Sequence, residues 1–142
     1  MTTIQLKTTI QAPIETVFNA SRDIDLHINS VKRTKEKAIA GITSGMIGFH
    51  ETVTWKGKHF GVYLTHQSKI TAFQYPTYFV DEMIKGHFCS FKHQHIFTSY
   101  GTTTEMIDLV TYKLPLAFLG RILDYFILKK YLIRFLSQGK SI

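Results

Sequence analysis

The sequence predicts an α+β fold, a curved antiparallel sheet of six or seven strands wrapped around one long C-terminal helix. One observation is the order of patterns, which runs strand, two short helices, about six strands, long helix. A second is the stretch 78–113, which reads as three consecutive antiparallel strands. A third is the breadth of the apolar surface on the last helix, wider than the narrow stripe of a surface helix. A sheet of that length with a single helix to cover it must curl around the helix. Side chains rarely fill the space between them completely, so a cavity is expected there.

Ile4, Leu6, Thr8 and Ile10 alternate with Gln5, Lys7, Thr9 and Gln11, a half-buried strand that opens the chain. Pro13 then stands where a helix can begin, its fixed φ and missing N–H both tolerated. Ile14, Val17 and Phe18 form the apolar stripe of that helix, and Glu15 suits the positive end of its dipole. Asp23 is placed to cap a second short helix over Ile24–Ile28. Farther on, Ile47–Trp55 alternates as a strand, and Lys56-Gly57-Lys58 reads as a hairpin turn. The next strand puts Phe60, Val62, Leu64, His66, Ser68, Ile70 and Ala72 on one face until Pro76 ends it. Pro115 closes the sheet, and Gly120 leads into a helix reaching about Leu136. Its apolar residues are Ile122, Leu123, Phe126, Ile127, Ile133 and Leu136. At roughly 1.5 Å per residue it is about 25 Å long, enough to lie across a sheet.

The central strands hold the chemistry. If Tyr100-Gly101 is a two-residue turn, Ser99 pairs with Thr102, and the rest of the register follows. His95 then faces Met106, His93 faces Asp108, Phe91 faces Val110 and Cys89 faces Tyr112. Facing residues share one side of a sheet at roughly 5 Å. One surface therefore carries aromatics, two histidines and a carboxylate, the make-up of a small-molecule pocket.

For 142 residues the expectation is one domain, 1–142, with no linker, repeat or low-complexity segment. The lone Cys89 excludes an internal disulfide, reads as a small buried hydrophobe, and points to a reducing compartment. The opening MTTIQLKTTIQAP has no uninterrupted apolar run, which argues against a signal peptide or anchor at this end, and a cytoplasmic location is expected. A net charge of +7 reads first as a basic solvated surface and second as transient contact with an anionic membrane surface. Only VKRTKEK (31–37) is a dense basic cluster. It has no interleaved aromatics, so nucleic acid is not an expected partner.

Several stretches resemble the START-like, or SRPBCC, superfamily with its helix-grip fold. "IQAPIETVFNASRDIDLH" is similar to the family's first strand and paired short helices. "TWKGKHFG" (54–61), "YPTYFVDEMIKGHF" (75–88), "KHQHIF" (92–97), "TEMIDLVTYKLP" (104–115) and "LGRILDY" (119–125) resemble a bacterial subgroup of small single-domain members. In that pattern Phe79, Asp81, His93, His95, Asp108 and Tyr112 match recurrent positions, whereas Met83 stands where a Gln is commoner. The superfamily includes pollen allergens, lipid-transfer domains, polyketide cyclases and coenzyme-Q-binding proteins. The resemblance therefore implies a lipophilic ligand held between sheet and helix.

The expected ligand-binding residues are Phe79, Asp81, Phe91, His93, His95, Met106, Asp108, Tyr112 and Phe126. His93 and His95 sit two apart on one strand, and Asp108 or Asp81 could add a carboxylate, a spacing compatible with zinc or iron. His-x-His alone is weak evidence and the fold commonly works without metal, so neither a metal nor a cofactor is expected. The enzymatic alternative is a cyclase, dehydratase or hydrolase in which Asp108 orients His93 as general base. The binding reading treats the same groups as an internal hydrogen-bond network that fixes the polar end of an apolar ligand. No Gly-rich phosphate loop or nucleophile motif is present, which favours binding over catalysis.

Overall fold

The computed structural model describes residues 1–30, 35–59, 61–115 and 122–138, with side chains from residue 128 onward in the last helix. The strands are β1 (Thr2–Ile10), β2 (Lys37–Gly41), β3 (Thr52–His59), β4 (Val62–Gln74), β5 (Tyr78–Lys85), β6 (Ser90–Tyr100) and β7 (Thr103–Lys113). Helices α1 (Ile14–Ser21) and α2 (Ile24–Ser30) follow β1, and α3 (Ile122–Gln138) follows β7. All seven strands form one antiparallel sheet in the order β1-β7-β6-β5-β4-β3-β2. The predicted fold class is the observed one.

Local chemistry accounts for the helices. Pro13 stands at the N-cap of α1, and Asp23 Oδ1 accepts the backbone N–H of Leu26 at 3.1 Å to start α2. α1 turns Val17 and Phe18 inward. The Phe18 ring makes edge-on contacts with Phe73, Tyr75, Phe79 and Phe97 at centroid distances of 5.2–5.3 Å. Burying an aromatic side chain of this kind contributes about 1.5–3 kcal/mol.

Two apolar clusters result. One joins Val17, Phe18 and Ile24 of the short helices to Val53, Ile70, Phe79, Phe97 and Met106 of the sheet. The other joins Ile4, Val110, Tyr112 and Leu114 to Leu132 of α3, with Leu128, Ile133 and Leu136 packed against it. The C-terminal helix thus lies on the sheet face that carries the even positions of β7. Gly120, Phe60 and residues 31–34 of the basic cluster fall outside the described residues.

Three expectations about turns and strand ends are corrected. Tyr100 pairs with Thr103, so the β6–β7 loop is Gly101-Thr102 and the register moves by two residues. The cause is steric. Gly101 takes φ +67 at the first loop position, as in a type II′ turn, whereas a Tyr100-Gly101 loop of type I′ would force positive φ on a tyrosine. Lys56-Gly57-Lys58 is not a turn: β3 runs on to His59, which pairs with Val62, and Gly61 takes the positive φ. The strand proposed over Ile47–Trp55 begins only at Thr52. Cys89 is exposed rather than buried, and Phe91, not Cys89, faces Tyr112.

Candidate functional site

A shift of two residues preserves the face of every side chain. His93, His95 and Asp108 therefore share the interior side as expected, but their pairing changes. His95 is now opposite Asp108, and His93 is opposite Val110. From the other side β5 sets Asp81 opposite His93 and Phe79 opposite His95. A register shift in the β4–β5 ladder between Ile70 and Ala72 lies beside Asp81, a common position for a bulge that re-aims a functional side chain.

The four polar side chains close into a square. His93 Nε2 donates to Asp108 Oδ1 at 2.8 Å, and His95 Nε2 donates to Asp81 Oδ2 at 2.7 Å. The remaining ring nitrogens lie farther out, His95 Nδ1 at 3.4 Å from Asp108 Oδ1 and His93 Nδ1 at 3.9 Å from Asp81 Oδ2. The imidazoles stack on each other at 3.7 Å, and Phe79 stacks on His95 at 4.0 Å. Asp108 and His95 are buried, while His93 and Asp81 are half-buried. Burial pushes the Asp81 carboxyl up, but the His95 hydrogen bond and the fields of His93, His95 and His66 outweigh it and hold the group below its ordinary value.

This square is a polar belt between the two apolar clusters. Phe79, Phe97 and Met106 belong to the cluster on one side, and Phe91, Val110 and Tyr112 to the cluster on the other. The structure thus brings Asp81, His93, His95 and Asp108 together with Phe79 stacked on them. It sets Met106 on one flank and Phe91 and Tyr112 on the opposite one. The side chain of Phe126 lies outside the described residues.

A second polar group escaped the sequence reading. His59 Nδ1 and the Tyr131 hydroxyl of α3 are 2.5 Å apart, and His59 Nε2 lies 3.6 Å from the buried Glu36 Oε2. Burial, then the Glu36 charge, raises the Tyr131 phenol above its ordinary value. Gly57 makes room for this contact, because a Cβ there would collide with Glu36 Oε2 and lie 3.0 Å from His59 Nε2. His27 of α2 lies tilted against Trp55 at 4.5 Å, and His66 packs edge-on against Phe91. Burial lowers the pKa of both rings, so both are neutral at pH 7. Five of the seven histidines therefore lie wholly or partly inside, and only His50 and His87 are exposed. The available signal was the even parity of His66 with Ser68 and Ile70; His59 was hidden by placing a turn at Gly57.

No family model matches this sequence, and no curated protein matches it. Solved structures do. The protein TTHA0849 from Thermus thermophilus superposes with a TM-score of 0.77 at 16% identity, covering 99% of this chain and 95% of that one. A START superfamily protein from Mycobacterium smegmatis gives 0.74 at 12% identity, over 98% and 94% of the two chains. Major latex-like protein 151 from Panax ginseng gives 0.69 at 13% identity, over 98% and 92%. The likeness spans nearly the whole of each chain, and with the seven-stranded sheet and its C-terminal helix it shows that this protein shares their fold, the helix-grip fold.

Proposed function

We propose that the chain, as one START-like domain over 1–142, binds a small lipophilic molecule between the sheet and α3. Lipids, isoprenoids, quinones and polyketide-like compounds are the candidate class. The observation that carries this reading is the polar belt between two apolar clusters. A hydrogen-bonded His–Asp square would fix an oxygen-bearing head, and the aromatic flanks would take an apolar body. The superfamily's lipid-transfer and quinone-binding members supply the analogy in function, and the shared fold supports it.

A second reading rests on the 2.8 Å contact between His93 Nε2 and Asp108. A carboxylate that orients an imidazole is the arrangement a general base needs, which would make the protein a cyclase, dehydratase or hydrolase on the same class of molecule. The absence of a nucleophile motif in the sequence favours binding. A cytoplasmic carrier or sensor without nucleic-acid contacts fits the sequence. Its net charge of +7 would favour brief docking on anionic membranes. Among the described residues no helix is long and apolar enough to cross a membrane.

Native mass spectrometry of the purified protein tests the first reading directly. A co-purified apolar molecule, or a thermal upshift with one class from a panel of fatty acids, quinones and isoprenoids, is the expected result. A protein that carries nothing and responds to none of the panel would overturn it.

A further inference from the structure

We propose that Asp81, His93 and His95 form a binding site for a divalent transition-metal ion of the zinc–iron class, with Asp108 as the carboxylate that orients both imidazoles. One donor atom from each of the three residues lies within 4.8 Å of the others. Two imidazole nitrogens and one carboxylate oxygen are the ligand set that borderline divalent ions select, with positions left for an exogenous ligand.

The two separations from Asp81 are near what an ion needs. At metal–ligand bonds of 2.0–2.1 Å, tetrahedral donors sit about 3.3 Å apart. Asp81 Oδ2 lies 2.7 Å from His95 Nε2 and 3.9 Å from His93 Nδ1, so both separations reach that value through shifts of about 0.6 Å.

Asp108 stands as the outer shell behind both rings. His93 Nε2 donates to Asp108 Oδ1 at 2.8 Å, which fixes that tautomer and leaves Nδ1 as the nitrogen on the Asp81 side. His95 presents Nε2 to Asp81 and Nδ1 to the same Asp108 oxygen at 3.4 Å. When the ion binds His95 Nε2, the single N–H proton of the neutral ring passes through solvent to Nδ1, where it faces Asp108. The rings stack at 3.7 Å, so one of them must turn about its Cβ–Cγ bond to bring both lone pairs onto one ion. The buried Asp108 beside both rings is placed as the outer-shell carboxylate that sets ligand orientation and basicity.

The test uses the full chain, stripped by chelator and titrated with Co²⁺ and with Zn²⁺. The expected result is one equivalent of Co²⁺ with visible d–d bands that Zn²⁺ displaces. Asp81→Asn and His95→Gln should abolish the bands, and Asp108→Asn should weaken binding by about 10- to 100-fold. Substituting the exposed His50 and His87 should change nothing. If a variant does not fold, long-range ¹H–¹⁵N spectra of the unaltered protein decide the matter, with the His93 Nδ1 and His95 Nε2 resonances shifting on Zn²⁺ addition. No stoichiometric binding, binding that survives Asp81→Asn and His95→Gln, or shifts confined to other rings would each overturn the proposal. Retention of a lipophilic ligand is read separately by mass, so either proposal can fail while the other stands.

Discussion

His93 Nε2 lies 2.8 Å from Asp108 Oδ1, although the β6–β7 ladder pairs His93 with Val110 and Asp108 with His95. The same diagonal preference holds on the other flank. Asp81 faces His93 in the ladder but makes its short contact, 2.7 Å, with His95. Each carboxylate thus bonds the imidazole one step along and stays 3.4–3.9 Å from the one directly opposite. Diagonal neighbours on adjacent strands are within reach of long side chains, and sheet twist brings one diagonal closer. The outcome is a cyclic arrangement in which no member can move without disturbing two others.

That coupling makes Asp108 the costliest member to remove. Hydrogen bonds to a charged group are each worth about 1.5–3 kcal/mol, and truncation strands buried donors. Asp108→Ala should destabilise the fold by about 2–4 kcal/mol, with Asp108→Asn costing roughly half as much. Urea unfolding reads this as a lower midpoint at unchanged slope. An Asp108→Ala protein as stable as the parent would show that the square contributes nothing to stability.

His93→Gln separates binding from catalysis in metal-free protein. An amide can replace most of the imidazole hydrogen bonding, so ligand affinity should hold within a few fold. A general base is worth about 10²- to 10⁴-fold in rate. Turnover of a bound ester or enone that falls by about a hundredfold or more in this variant, at near-constant affinity, would establish the enzymatic reading.

Gly57→Ala should destabilise the protein by about 1–3 kcal/mol, the usual range for overpacking a filled site. The new Cβ would meet the buried Glu36 carboxylate and His59, so the Glu36–His59–Tyr131 contacts should open with it. Thermal unfolding measures the cost. Combining the change with Glu36→Ala, which removes the atom the Cβ would strike, should recover part of it.

Stability should fall with pH below about 6.5 because of His27 and His66. Burial depresses both folded-state pKa values. For His66, Asp81 and Glu36 pull upward and His59 and His87 push downward. For His27, Glu36 and Asp81 oppose the burial and His93 and His95 add to it. As pH drops below the unfolded value, the unfolded chain takes up protons first. The contribution present above that value is then lost until pH passes the depressed folded value. Each histidine adds a slope of at most about 1.4 kcal/mol per pH unit. Melts from pH 8 to 5 should show the decline, and His66→Phe should flatten it. A slope unchanged in that variant would remove His66 from the account.

The short-range order of the chain was readable because its signals are local. Alternation along residues 78–113, Pro13 and Asp23 at helix starts, and the apolar run near the C-terminus each depend on neighbours a few residues apart. Turn placement failed at Gly57 and at Tyr100-Gly101 because a glycine marks a turn without stating which loop position it fills. The error at Tyr100 was harmless to the faces, since an even shift leaves every side chain on its own side.

By itself the sequence determined the fold class, the antiparallel strands and the interior face that carries His93, His95 and Asp108, since period-two patterning needs no partner to be read. Only the tertiary structure decided which carboxylate meets which imidazole. It brought Asp81 across from β5, closed Glu36 and His59 against Tyr131 of α3, and exposed Cys89. Those contacts join residues 14 to 72 positions apart, and their distances are set by ladder register, a β4–β5 irregularity and helix docking. None of these is written in the local pattern of any one strand, because each is a relation between two segments that pack independently of their own periodicity.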